Sequence, residues 1–146
     1  MGVTLSGKPD SRITAKSLDM SYGSFFRLRC IAAKHLNDEF FYLYKSMINN
    51  RNEEDWKEFD ECINDCIQHH KLDKTASDCK LLDFFFLSDC EGKITYGACK
   101  KLYELLKNED DDQKLGYVGK ADCATMGDLK NLLLDIYKNK GRLEWL

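Results

Sequence analysis

Most of the hydrophobic positions in this chain recur at the spacing of an amphipathic helix. Apolar residues fall three and four positions apart in several long segments, which is the pattern of a helix with one buried face. The segments are 21–36, 39–48, 53–70, 77–107 with one internal turn, and 125–140. We therefore predict a mainly α fold of five or six helices that form a single helical domain over 1–146.

The longest apolar run, 81–87, belongs to the segment on which we expect the other helices to pack. It contains three consecutive phenylalanines, Phe84 to Phe86, and is followed by a polar turn and a second helical pattern. This order predicts a helix–loop–helix hairpin at the centre of the fold.

Two short segments alternate between apolar and polar residues, as strands do. The first is 1–17, where Val3 and Leu5 alternate with polar residues, and we predict a loose arm or an edge strand there. The second is the tail 142–146, which we expect to dock as a short strand beside 93–95. At most a minor two-strand pairing follows.

Local signals mark where two helices begin. Thr95 and Thr125 each stand directly before a helical pattern, where a threonine hydroxyl caps free backbone N–H groups. Asp128 lies three residues after Thr125, which resembles a capping box with Asp in place of Glu. Ile94 precedes Thr95 and is expected to enter the core.

The turn of the hairpin resembles the calcium loop of an EF-hand that has lost ligands. If Gly92 is the sixth position, where such loops need glycine, Asp89 and Glu91 fall at the third and fifth. The first and twelfth positions are Leu87 and Ala98, which carry no side-chain oxygen. Two carboxylates are too few to replace the hydration shell of the ion. We interpret the loop as a structural corner with Gly92 at positive φ; the alternative is a calcium-binding regulatory protein that holds the metal through Asp89 and Glu91.

Composition and charge exclude several functional classes. The net charge is −3, and acidic and basic residues are mixed along the chain, so no long basic stripe favours nucleic acid. No apolar stretch approaches the length that spans a membrane, and the first residues hold no secretory hydrophobic region. The seven cysteines are odd in number, which favours free thiols in a reducing cytoplasm.

The cysteines and histidines could bind zinc, form a catalytic pair or simply pack in the core. Cys62, Cys66 and His69 lie on one side of a predicted helix, but zinc needs a fourth ligand that no second paired motif supplies. A thiol could also meet His35 or His70 in space, yet no local signature places a base beside a nucleophile. A thiol-dependent enzyme is therefore the third alternative, and helix packing is the favoured interpretation of the cluster.

Three patches together resemble a group of small proteins of bacteria and their phages that carry a DMGYGGF-like patch and an HSDCDG-like loop. The patches are 1–4, 17–25 and 87–92. Ser24 departs from the group where it has glycine, and Leu87 departs where it has histidine or another polar residue. No activity is established for the group, so the resemblance implies no catalytic residues. It is compatible with a prophage, a mobile element or an immunity partner of a toxin.

The favoured function is a non-catalytic cytoplasmic protein-interaction module that needs no cofactor and binds another protein. Such a module needs an exposed aromatic or apolar patch, and aromatic side chains carry much of the energy of protein interfaces. The candidate contact residues are Tyr22, Tyr117 and Trp145.

Overall fold

The computed structural model describes residues 2–49, 57–58, 61, 64, 81–119 and 123–146. Within them the chain forms an α+β fold. In chain order the elements are β1 Gly2–Lys8, β2 Leu18–Ser21, α1 Tyr22–Leu36, α2 Asp38–Asn49, α3 Leu81–Phe86, β3 Gly92–Thr95, α4 Tyr96–Leu106, α5 Met126–Lys138 and β4 Arg142–Trp145. The helix predicted over 53–70 lies almost wholly outside the described residues.

The four strands form one antiparallel sheet in the order β2-β1-β4-β3. Leu5 of β1 lies opposite both Leu18 of β2 and Trp145 of β4, and Trp145 lies opposite Gly92 of β3. The prediction of a mainly α fold, with five or six helices around a central helix–loop–helix hairpin and a minor two-strand pairing, is therefore wrong. Between the two helices of the predicted hairpin lies the strand β3. The docking of the tail beside 93–95 is confirmed, because β4 pairs with β3 in antiparallel register.

The first strand has a different position from the one predicted. Residues 2–8 lie in the interior of the sheet with a neighbour on each side, so the prediction of a loose arm or an edge strand is wrong. The strand is only half apolar, because Val3 and Leu5 point to the core while Thr4 and Ser6 point to the other face. A half-covered central strand therefore has the same alternation as an edge strand.

Three helices begin with the same local arrangement. Ser21, Thr95 and Thr125 have extended backbones, and each side-chain oxygen accepts a hydrogen bond from the backbone N–H three residues later. Each is followed by an aromatic residue or methionine and then by glycine. The predicted caps at Thr95 and Thr125 are confirmed, as is the capping box with Asp128. Two of these helices follow a strand directly, so the cap also fixes where the strand ends.

The buried side chains of the described residues form one core between the sheet and the helices. Phe25, Leu28, Phe84, Leu102 and Leu133 are completely enclosed on the helical side, and the predicted core position of Ile94 is confirmed. On the opposite face, the sheet carries polar side chains that are exposed or half-buried. The described part of the chain leaves that face open.

Candidate functional site

The corner at Gly92 is built differently from a calcium loop. Gly92 is the first residue of β3, and its φ is not positive, so the predicted left-handed turn is wrong. Glycine is needed there for another reason. A Cβ atom on Gly92 would lie 2.9 Å from the indole Nε1 of Trp145 and closer still to Cζ2 and Cε2. Gly92 therefore makes room for the tryptophan of the neighbouring strand.

Trp145 is a core residue rather than a surface contact. Its side chain is 1 % exposed, and its ring packs against those of Phe25 and Phe84, with centroids 5.6 and 6.0 Å apart. The indole N–H donates a hydrogen bond to the carbonyl oxygen of Ser88 at 2.8 Å. The expectation that Trp145 lies on an exposed patch is wrong, because the alternation of β4 turns it inward. It instead holds the loop that precedes β3.

A buried arginine holds the same loop. Arg29 of α1 is 6 % exposed, and its Nη2 donates to the carbonyl of Leu87 at 2.8 Å and to that of Ser88 at 3.4 Å. The guanidinium lies 4.4 Å from the centre of the Phe25 ring, a cation–π contact. Burial lowers the pKa of Arg29 from its usual value. Its Nε has no hydrogen-bond partner among the described residues. The cation stays charged because arginine is so strongly basic.

Three residues of the predicted sites, Tyr22, Asp89 and Tyr117, lie near one another beside this loop. A side-chain interaction with the thiol of Cys90 raises the pKa of Tyr22 above 10.0, with smaller contributions from burial, Asp89 and Tyr117. The Cys90 sulfur also lies 3.5 Å from an Asp89 carboxylate oxygen. We call Tyr22, Asp89, Cys90 and Tyr117 the tyrosine cluster. The predicted contact residues Tyr22 and Tyr117 thus lie close enough together to share one surface.

Tyr117 reaches this cluster because Gly2 has no side chain. A Cβ atom on Gly2 would overlap the Tyr117 hydroxyl and the carbonyl oxygen of Met20. The backbone of β1 therefore packs directly against the tyrosine. The cluster lies where the first residue of β1 and the last residue of β2 meet, since Gly2 pairs with Ser21.

A groove of about 790 Å³ crosses the open face of the sheet. We call it the sheet groove. Alternate residues of β1 and neighbouring residues of β3 and β4 line it, together with residues of the loop before β3. The lining residues are Thr4, Ser6, Lys8, Leu87, Glu91, Gly92, Lys93, Glu144, Trp145 and Leu146. Leu87 is 36 % exposed and Leu146 is 79 % exposed, so apolar side chains are accessible beside hydroxyls and charges.

The described residues offer little to a metal ion. They contain no group of three His, Cys, Asp or Glu side chains able to hold one. Asp89 and Glu91 are both exposed, and they are drawn in different directions: Asp89 contributes to the tyrosine cluster, whereas Glu91 lines the sheet groove. The zinc-like set of Cys62, Cys66 and His69 lies outside the described residues.

In the described part of the chain, no hydrogen bond or ion pair joins a thiol to a histidine. Cys30, Cys90, Cys99 and Cys123 are free thiols there. Burial raises the pKa of Cys99 to about 12 and also raises the pKa of Cys30, which makes both weak nucleophiles at neutral pH. The described histidine, His35, pairs with Glu109 at 3.5 Å.

Two anchoring residues were not predicted. The Nζ atom of Lys130 donates to the carbonyl of Lys107 at 3.1 Å and to the carboxylate of Asp111 at 2.6 Å, so it fastens the acidic loop 108–113 to α5. Asp135 accepts the backbone N–H groups of Thr14 and Ala15. Lys130 is buried beside Leu129 on the apolar side of α5. A lysine within the apolar pattern of a helix is the sequence feature that could have indicated this anchoring role.

Comparisons with known proteins identify no relative. No protein-family model, curated protein or solved structure matches the chain. The resemblance to the bacterial and phage group therefore stays a prediction from the sequence patches. No helix in the described residues combines the length and the apolar character needed to cross a bilayer.

Proposed function

We propose that this protein is a non-catalytic interaction module that binds another protein through the sheet groove. The observation that carries the proposal is the groove itself, which is open along a sheet face and mixes accessible Leu87 and Leu146 with polar side chains. Interfaces combine apolar anchors with a polar rim in this way. Exposed sheet faces are also rigid, so little ordering is required on binding.

The chemistry of the groove favours binding over catalysis. Its charged residues are partly engaged already, because Lys8 pairs with Asp10 at 3.0 Å and Glu144 pairs with Arg142 at 3.5 Å. Thr4 and Ser6 are likewise tied to Asp19 and Ser17 by side-chain hydrogen bonds of 2.6 and 3.0 Å. These hydrogen bonds and ion pairs hold the groove side chains in fixed positions, which suits a binding surface.

The proposed location is the cytoplasm. Free thiols at Cys30, Cys90, Cys99 and Cys123 support it, because an exposed thiol such as Cys90 persists best in a reducing compartment.

Affinity capture from the native host, with a matched set of variants, tests the proposal. Leu146→Asp places a charge on the apolar side of the groove, and Ser6→Arg fills its floor. We expect either change to abolish capture of a partner that the wild-type chain retains, because a buried unpaired charge is costly at an interface. The control is Tyr42→Asp, which introduces the same charge at a 68 % exposed position of α2, outside the groove lining.

Different outcomes separate the groove from the other candidate surface. Val118 is 86 % exposed and follows Tyr117, so Val118→Asp alters the surface beside the tyrosine cluster. Loss of the partner with Val118→Asp and its retention with both groove variants would assign the interface to the tyrosine cluster. That result would refute the groove as the binding site.

A further inference from the structure

The outer edge of β3 has no neighbouring strand among the described residues. In the strand order β2-β1-β4-β3, the two edge strands are β2 and β3. The carbonyl of Asp19 in β2 faces Gly116, where an added Cβ would lie 3.1 Å from that oxygen, so residues around Gly116 cover this edge. No described strand lies beside β3 on its outer side.

The hydrogen-bond alternation of the sheet shows which backbone groups point outward. Thr4 and Leu146 exchange both backbone hydrogen bonds, at 3.0 and 3.1 Å, so Leu146 faces β1. Successive residues of a strand alternate in direction, so Trp145 and Leu143 face β3 and bond to Gly92 and Ile94. The N–H and C=O groups of Lys93 therefore point away from the sheet.

The charged side chains along this edge are complementary to those of the same edge in a second copy of the chain. Glu91 and Lys93 flank Gly92, and both are exposed and border the sheet groove. Residues two positions apart along an extended strand point to the same face, so these two side chains lie on one face. Neither forms an ion pair with another described residue. In an antiparallel pairing of two identical edges centred on Gly92, each Glu91 meets the Lys93 of the other copy. Opposite charges at directly paired positions stabilise antiparallel strands.

We infer that the occupant of the β3 edge is a second copy of this chain, paired antiparallel about Gly92. Each Glu91–Lys93 pair then exchanges its backbone hydrogen bonds, and the two sheets join into one continuous sheet. The symmetry is two-fold, as in most homodimers, and the same short segment supplies both halves of the interface. The edge is short, so the dimer is weak and depends on concentration. This surface is the edge of the sheet, so the inference does not depend on whether the groove binds another protein.

Charge reversal with mixing tests the pairing. Sedimentation over a dilution series up to millimolar protein measures the dimer dissociation constant of the wild type, of Glu91→Lys and of Lys93→Glu. Each single variant places like charges opposite each other, so we expect at least a tenfold weaker dimer. An equimolar mixture of the two variants restores opposite charges at both positions, so we expect a heterodimer of roughly wild-type strength.

A matched control separates pairing from general charge effects. Lys101→Glu makes the same change at an exposed position of α4, and we expect it to leave the dissociation constant within about twofold of the wild type. Circular dichroism verifies that each variant is folded. For the wild type, amide NMR shifts that depend on concentration should be confined to residues near 91–95.

Three results would overturn the inference. They are a wild-type chain that stays monomeric at millimolar concentration, a dimer that neither single reversal weakens, and a mixture of folded variants that forms no heterodimer.

Discussion

Replacement of Gly92 by alanine tests the packing on which the candidate site depends. The added methyl group would lie 2.9 Å from Trp145 Nε1 and closer to two carbons of the same ring. Carbon atoms attract one another only at roughly 3.5–4.0 Å, so the ring or the strand has to move. The ring has little freedom, because it is 1 % exposed and packs against Phe25 and Phe84.

The expected cost follows from two effects that oppose a small gain. Overpacking of a well-filled core costs about 1–3 kcal/mol. Displacement of the indole also weakens its 2.8 Å hydrogen bond to Ser88, which is worth about 0.5–1.5 kcal/mol. Alanine has less backbone freedom than glycine in the unfolded chain. This difference raises the free energy of unfolding by about 0.5–1 kcal/mol. We expect Gly92→Ala to lower the free energy of unfolding by about 0.5–4 kcal/mol, which is the range that these contributions span.

Urea unfolding followed by circular dichroism measures this change. The matched control is Gly23→Ala in α1, where the nearest atom to the added Cβ is Ser21 Oγ at 3.9 Å. We expect that control to be neutral or to stabilise by up to about 1 kcal/mol. In a Trp145→Leu background no ring is present to clash with the added methyl group, so Gly92→Ala should cost at least about 1 kcal/mol less than in the wild type. Equal effects of the two glycine replacements, or an undiminished cost in the leucine background, would refute the reasoning.

Three further changes test the caps, the anchors and the buried thiol. Thr125→Ala removes the cap of α5 and should cost about 1 kcal/mol in urea unfolding, whereas Thr125→Ser should retain most of it; equal losses would contradict the capping role. Lys130→Met removes the charged donor of the part-buried hydrogen bonds to the acidic loop and should cost about 1–3 kcal/mol, against little change for exposed Lys138→Met. Cys99 has a pKa raised by burial from 9.0 to about 12, so the unfolded thiol ionises first as the pH rises. Its contribution to stability is full below pH 9.0 and is lost between 9.0 and about 12. Cys99→Ala should therefore flatten the alkaline fall of the urea midpoint, and exposed Cys90→Ala should not.

The helices that the structure describes could be predicted because their determinants are local. The threonine caps at 95 and 125 and the helix that contains Phe84 lie where the sequence pattern placed them. A helix satisfies its backbone hydrogen bonds within one segment, so its signals stand close together in the sequence. The approach of the tail to 93–95 could also be predicted, since both segments are short and only partly apolar.

The sheet was underestimated because strand pairing depends on distant segments. β1 pairs with β4, and these strands come from opposite ends of the described chain. Each strand satisfies its backbone hydrogen bonds only through its neighbours, and the alternation of 2–8 does not reveal how many neighbours it has. The prediction of a mainly α fold was wrong for this reason.

The sequence by itself determined the helical segments, their caps and the residues of the loop before β3. Only the tertiary structure decided that Trp145 is buried, that Tyr22 lies near Cys90, and that Glu91 and Lys93 border a sheet edge with no described strand beside it. Helical order depends on neighbours within one turn of the chain. The site depends on the register of strands and on the side of the sheet that the helices cover, and both are settled by packing between residues far apart in the sequence.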